Sequence, residues 1–469
     1  MKTKIFLIAV SIVLTLISKS EIKVTSILGN NMVLQRNTEV KLWGKATPNE
    51  TLTIKTSWNK QSYKTPVNDQ GEWLVKVRTT EAGGPYDIKI NSSKENLTIN
   101  NILLGEVWFC SGQSNMQMTM AGIQDSPVNG LNDALVEADN DNIRFITIKN
   151  VAAAIPQDTC KGGKWEVANA QTVPNLSAIG YYYAKLLQQK LKIPVGIVSF
   201  SWGGSRIEAW MNKETLANYP KALESSSKEK PKHQQPNMLY NGIVHPILNF
   251  AFKGVIWYQG ESNINYNEYS DLLVGMVSNW RKDFGIGEFP FYYVQIAPYL
   301  GSDNPNSTFR ALQREPHLKA SYLIPNSGMV SAIDLGEKDN VHPAEKFTVA
   351  KRLSYWALSE TYGYKGIYHK NTCYKSFEQK DSTLLLTFEN VGNGISSFGK
   401  ELDNFEVAGA DKKFYPANAK IVNSQLKVWS SEVKQPIAVR YAFYSFPHGK
   451  GFLYNMAGLP VPPFRSDNW

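Results

Sequence analysis

Cysteine is scarce: the 469-residue chain has three, Cys110, Cys160 and Cys373. An odd number cannot pair completely within one chain, and at most one bridge is available, so a disulfide-stapled scaffold is excluded. Histidine is also rare, with six residues, and no two stand four apart. Close cysteine pairs and carboxylate runs with calcium-loop spacing are lacking too, so no metal site is expected. A Gly-x-Gly-x-x-Gly run after a strand is missing, which removes the dinucleotide fingerprint. The net charge of +9 is dispersed among alternating lysines and acids. Without a basic run to track phosphates, nucleic acid is not an expected partner.

Long apolar runs are lacking as well. The uncharged run from Ile5 to Ile17 near the start has 13 residues, short of the roughly 20 that cross a bilayer core. It follows Met1-Lys2-Thr3-Lys4 and precedes Ser18-Lys19-Ser20, the pattern of a secretory signal rather than a stable membrane span. Residues 1–20 are therefore read as a signal peptide, and the protein as secreted or periplasmic. Their removal takes Lys2, Lys4 and Lys19 with it, and the formal charge falls from +9 to +6.

What is present divides into three regions. Residues 21–103 read as a small β-domain, with alternating segments such as Glu39–Trp43, Thr51–Lys55 and Glu72–Val77. Asn68–Gly71 and Gly83-Gly84-Pro85 punctuate them where hairpins are expected to turn. Residues 104–365 alternate apolar strands with amphipathic helices. The strands are Glu106–Cys110, Ile143–Ile148, Val195–Phe200, Gly254–Tyr258, Phe291–Ile296 and Met329–Ile333. Tyr269, Leu272, Leu273, Met276, Val277 and Trp280 follow helical spacing, and Ser177 is a cap for a second helix carrying Ile179, Tyr183 and Leu187. Continuous apolar strands between helices predict a parallel sheet covered on both faces. Residues 366–469 return to β-like segments such as Thr383–Phe388 and Ile437–Ala442.

Open parallel sheets bind ligands beyond the carboxyl ends of their strands. Four unusual clusters fall there: Ser111–Met116, Ser201–Arg206, Gln259–Asn263 and Asp334–Pro343. Ser114 follows a strand on a glycine-containing turn that leads toward a helix, which exposes its hydroxyl beside helix-terminal amides. A serine hydroxyl needs a base to become a nucleophile. His342, before Pro343 at the start of an apparent helix, is the candidate. His245, in Ile243-Val-His-Pro246, is its rival but sits in an apolar setting that suits a buried, hydrogen-bonded residue. The base needs an acid to fix its tautomer; Asp339 stands three residues before His342, and Asp334 is the other candidate. Oxyanion donors are sought in the amide of Ser114, an amide of Gly203 or Gly204, and a side-chain amide of Gln259 or Asn263. Arg206, together with Arg310 or Arg314, offers a guanidinium for a substrate carboxylate, and Glu261 is a further substrate-binding candidate.

These blocks resemble the SGNH/GDSL hydrolase superfamily, and within it the sialate O-acetylesterase family. The segment Gly105-Glu-Val-Trp-Phe-Cys-Ser-Gly-Gln-Ser-Asn-Met116 is similar to that family's nucleophile block. Asn31–Arg36 and Val40–Gly44 resemble its opening β-domain. Ile207–Trp210, Trp257–Asn263 and His342-Pro343 resemble later blocks, and Val439–Tyr441, Gly458–Pro460 and Pro463–Arg465 resemble its ending. The resemblance implies a three-layer α/β/α (flavodoxin-like) SGNH-hydrolase domain, flanked by N- and C-terminal β-sandwich-like regions, with no cofactor. It implies hydrolysis of acetyl esters, often at the 9-O position of sialic acids, through an acyl-enzyme. One departure matters: the family often has an acid two residues before the histidine, and here that residue is Asn340. Asp339 then matches the wider Asp-x-x-His pattern, Asp334 remains open, and so does a Ser–His dyad aided by backbone carbonyls.

The expected partner is an acetylated carbohydrate, a sialoglycan or a polysaccharide. An acetyl xylan esterase is the alternative within enzymes, since it needs no arginine clamp. A non-catalytic glycan-binding protein is the alternative outside them.

Overall fold

The computed structural model describes residues 21–224, 230–264, 266–423 and 425–469; the expected signal at residues 1–20 lies outside them. In chain order, the elements that build the site are β1 (Glu39–Lys45), β2 (Glu72–Arg78), β3 (Asn96–Gly112) and α1 (Ser114–Gln117). Then come β4 (Asn140–Thr147), α2 (Ala178–Leu191), β5 (Val195–Ser201), β6 (Gly254–Tyr258) and α3 (Tyr269–Phe284). Last are β7 (Phe291–Gln295), α4 (Phe309–Leu323), β8 (Ser327–Ser331) and α5 (Phe347–Trp356).

The main sheet runs β4-β5-β3-β6-β7-β8, all parallel, with Glu166–Ala168 antiparallel on the outer edge of β4. Alternate strand residues point to opposite faces. Phe109, Phe200, Val255 and Trp257 accordingly share one buried cluster with Leu272, Met276 and Trp280 of α3. Trp108, Cys110, Ile197 and Ile256 share another with Ile179 and Tyr183 of α2 and Val349 and Leu353 of α5. Both expected helices form, and Ser177 caps α2 by accepting the Gly180 amide at 3.2 Å. Among the described residues no helix is long and apolar enough to cross a membrane.

Several expectations require correction. A flavodoxin order would place the first strand between the second and third; here the third strand, β5, lies between β3 and β4. The segment after α1 contains only one six-residue helix, Leu131–Val136. It crosses toward α2, where the amides of Met120 and Ala121 bond the carbonyls of Leu176 and Pro174, and enters the sheet one position further out. Gly83-Gly84-Pro85 is not a hairpin turn but the irregular start of strand Gly83–Asn91, which pairs with β3 through two register shifts. Asn68–Gly71 does turn, with Asn68 Oδ1 accepting the amides of Gln70 and Glu72.

The limit set at residue 103/104 falls inside β3. Its first half pairs with Gly83–Asn91 and Val33–Gln35, and its second half is the centre of the parallel sheet. The N-terminal β-domain is therefore joined to the parallel sheet by one continuous strand. Its residues Val40, Leu42, Ile54, Trp73 and Ile88 belong to the same cluster as α3. The C-terminal region forms a seven-stranded antiparallel sheet and a separate two-stranded ribbon, with no strand pairing to the N-terminal sheets among the described residues. It touches the loops beyond β7 and β8: Ser445 accepts the Tyr299 amide at 3.2 Å, and Ile333 lies in its core.

Candidate active site

β3 ends at Gly112, whose φ of 145° and surroundings demand glycine, because a Cβ there would lie 2.1 Å from the Tyr258 carbonyl oxygen. The chain thereby turns over the end of β6. Gln113 donates its amide to that carbonyl at 2.9 Å, and its Oε1 accepts the Gly260 amide at 3.2 Å and Gln259 Nε2 at 3.1 Å. Ser114 opens the single turn of α1, in which the amides of Met116 and Gln117 return to the Gln113 carbonyl. The Ser114 amide itself has no hydrogen-bond partner among the described residues.

The glycine turn after β5 packs against the Ser114 turn. A Cβ on Gly203 would stand 3.3 Å from the Cβ of Ser114. Gly203 donates its amide to Gln117 Oε1 at 2.7 Å, whereas the Gly204 amide is unpaired among the described residues. Of the two glycines, Gly204 therefore keeps an unbonded amide among the described residues. Gly204 also has positive φ, and the ring of His233, stacked on Trp202 with centroids 5.2 Å apart, lies beside it.

His342 approaches from the loop after β8. Asn115, next to Ser114, donates its Nδ2 to the carbonyl of Val341, next to His342, at 3.0 Å. The loop is closed by Glu337, which accepts the Ala344 amide at 2.7 Å and Asn340 Nδ2 at 3.0 Å, and by Asn340 Oδ1, which accepts the His342 amide at 2.9 Å. His342 is half-buried, and its ring nitrogens make no hydrogen bond among the described residues. Burial, then the charge of Lys346, lowers its pKa below the usual 6.5, which favours the neutral, proton-accepting form. The helix expected at Pro343 begins only at Phe347.

Neither predicted acid supports this ring. Asp339 is exposed and makes no hydrogen bond among the described residues, because Glu337 and Asn340 occupy the inside of the loop and leave it on the outer side. Asp334 is held by both terminal nitrogens of Arg352, at 2.8 and 2.7 Å, and accepts the Tyr454 hydroxyl at 3.3 Å. The rival base His245 bonds the Gln157 carbonyl through Nδ1 at 2.8 Å.

The side-chain amides expected at the oxyanion are committed elsewhere. Gln259 Nε2 faces Asn263 Oδ1 at 2.7 Å, Gln113 Oε1 and the Ser205 carbonyl, while Gln259 Oε1 accepts the Tyr269 hydroxyl. Asn263 Nδ2 donates to Glu208 at 2.9 Å. Both residues are buried, so they brace the loops rather than face substrate. Arg206 is likewise buried, donating to Glu208 Oε1 at 2.7 Å, which removes it as a carboxylate clamp. Arg314 is buried on the carbonyls of Ser445 and Tyr444. Arg310 remains partly exposed, with Nη1 on Gln313 Oε1 at 2.9 Å. Glu261 is not on the open face: Oε1 accepts Asn115 Nδ2 at 2.6 Å and Oε2 is enclosed without a partner among the described residues. Burial raises its pKa.

A family model for carbohydrate esterases, described as sialic acid-specific acetylesterase, matches residues 104–354. The chain belongs to this family. It is a carboxylic ester hydrolase of the carbohydrate-esterase class. Human sialate O-acetylesterase is 27% identical over 94% of this chain and 91% of its own length. The mouse protein is also 27% identical, over 94% and 93%. A carbohydrate acetylesterase from Xanthomonas citri has the same fold, with a TM-score of 0.87, 30% identity, and coverage of 96% of this chain and all of that one.

Sequence reasoning overlooked several residues of this family member's site. Gln113, Asn115 and Gln117 lie beside Ser114, and nothing in the spacing sets their amides apart from those of Gln259 and Asn263; only the fold shows that they tie the loops together. Glu208 and His317 were missed because their roles depend on burial. His317 is stacked on Tyr269 with ring nitrogens 3.1 Å from the carbonyls of Gln259 and Gln313, and burial pushes its pKa down to about 4. Lys346, four residues after His342, was missed although its spacing was readable.

Proposed function

We propose that this esterase removes O-acetyl groups from sialic acids, the 9-O position included, by forming an acyl-enzyme on Ser114. The observation that carries the reading is the Asn115–Val341 hydrogen bond, which ties the serine turn to the histidine loop while the amides of Ser114 and Gly204 have no partner among the described residues. Neutral His342 takes the Ser114 proton as the hydroxyl attacks the acetyl carbonyl. The two amides receive the oxyanion, an arrangement in which losing one donor typically costs about 10²–10³ in turnover. His342 then protonates the departing sugar oxygen, and water repeats the sequence to release acetate. With Asp339 and Asp334 turned elsewhere, the pair acts as a dyad whose ring is set by the pinned loop.

Sialate recognition rests on Arg310, the remaining partly exposed guanidinium of the three candidates. The commitment of Arg206 and Arg314 to internal partners favours a second reading, a polysaccharide deacetylase that needs no carboxylate clamp. The two separate clusters on the faces of the parallel sheet support a three-layer α/β/α hydrolase unit. Residues 104–365 are taken as that unit, 21–103 and 366–469 as the β regions that flank it, and residues 1–20 as the signal that exports the protein.

The test is acetate release from 9-O-acetylated sialic acid and from acetylated xylan fragments, with Ser114→Ala and Arg310→Ala alongside the intact protein. Loss of release in Ser114→Ala with an acetylated Ser114 peptide in the quenched intact enzyme is expected. Equal rates on both substrates, unchanged in Arg310→Ala, would leave the polysaccharide reading instead.

A further inference from the structure

One buried cation beneath the nucleophile turn is not used by the mechanism above. Lys346 is 1% exposed, and its Nζ donates to Asn115 Oδ1 at 2.6 Å. The same amide group of Asn115 donates to Glu261 Oε1 at 2.6 Å and to the Val341 carbonyl at 3.0 Å. One side chain thus gathers the turn of Ser114, the loop of His342 and the block after β6. A buried ammonium is costly unless it is paired or hydrogen-bonded, and the Lys346 ammonium makes one hydrogen bond among the described residues, so packing alone does not account for it.

We propose that Lys346 is a positioning residue of this site. Held by Asn115, it fixes the Ser114 turn to the histidine loop, and its charge adds to burial in favouring the neutral His342 that accepts the serine proton. The inference rests on the assignment of Ser114 and His342 above. The charged and titratable groups around it come from four elements. Glu261 follows β6, Glu337 lies in the loop after β8, Tyr258 of β6 presents its ring 6.0 Å from Nζ, and Arg310 of α4 acts on Glu261. The two carboxylates favour the charged ammonium; burial opposes it and lowers its pKa only to about 7. His342 titrates below pH 6.5, on the acid side of about 7, so Lys346 is mostly protonated there. The sign follows: removing the charge leaves His342 easier to protonate, so its pKa rises.

The test is a ring-proton NMR titration of the six histidines in the full chain, with the His342 signal assigned by its loss in His342→Gln, paired with the pH profile of kcat/KM. In Lys346→Met the His342 midpoint and the acid limb should both move up by at least about half a pH unit. The kcat should fall at least about tenfold with KM little changed, as expected when positioning rather than substrate binding is lost. Lys346→Arg, which keeps the charge, should leave the midpoint in place. Asn115→Leu should lower kcat while moving the midpoint less than Lys346→Met. The proposal is overturned if Lys346→Met, or Asn115→Leu where the former does not fold, gives kcat within twofold of the intact protein. It is equally overturned if Lys346→Met or Lys346→Leu titrates His342 as the intact protein does. Absence of Ser114-dependent acetate release would sink the reaction assigned above, whereas the ring titration needs no turnover and judges Lys346 by itself.

Discussion

Arg206→Met should destabilise the protein rather than alter its substrate preference. Arg206 and Glu208 are 3% and 1% exposed and meet at 2.7 Å, so the substitution strands a carboxylate in a place without water. Removing one partner of a buried ion pair typically costs about 3–5 kcal/mol. Asn263 Nδ2 still donates to Glu208 at 2.9 Å, which puts the cost near the lower end, about 3 kcal/mol. For a cooperative unit of a few hundred residues each kcal/mol lowers Tm by roughly 2–4 °C, so a fall of roughly 6–12 °C is expected. Adding Glu208→Gln removes the stranded charge and should recover about half of the loss. The assay is differential scanning calorimetry on the three proteins, with KM for acetylated sialic acid measured well below the transition. A Tm within about 2 °C of the parent, together with a tenfold higher KM, would refute the reasoning and return Arg206 to the substrate.

Asp339→Asn should leave kcat within about threefold, because an exposed carboxylate with no bond to His342 has little to lose; a drop of a thousandfold in steady-state assays would contradict the dyad. Gln259→Leu should lower thermal stability by about 2–4 kcal/mol through orphaned partners at Gln113, Ser205 and Tyr269, and a catalytic defect without that loss would restore it as an oxyanion donor. The acid limb of kcat/KM should lie below pH 6.5, since burial and Lys346 lower the pKa of His342; a limb above 6.5 counts against this environment. His317 has a folded pKa near 4, so the unfolded chain binds the extra proton first and stability should fall as pH drops from about 6.5 toward 4. Melting curves across that window should show a smaller fall in His317→Gln.

The sequence alone carried the strands and helices of the central region, because continuous apolar runs and helical spacing are local signals. It also placed Ser114, His342 and the glycine turn at the carboxyl edge, since strand ends dictate where loops converge. The order of strands was decided elsewhere. Nothing local in Asn140–Thr147 says that it lies outside Val195–Ser201, and periodicity could not distinguish a hairpin at Gly83-Gly84 from the irregular strand that pairs with β3. The roles of polar side chains were the least legible part. Arg206, Glu261, Gln259 and Asn263 have chemistry suited to a substrate, yet each is turned inward, because what a polar group does depends on which partners burial supplies. Asp339 and Asn340 make the same point within one turn: adjacent in sequence, one faces solvent and the other holds the loop of His342. Residue type and spacing determine which chemistry is available; the packed loops decide which side chains keep a free donor or acceptor for it.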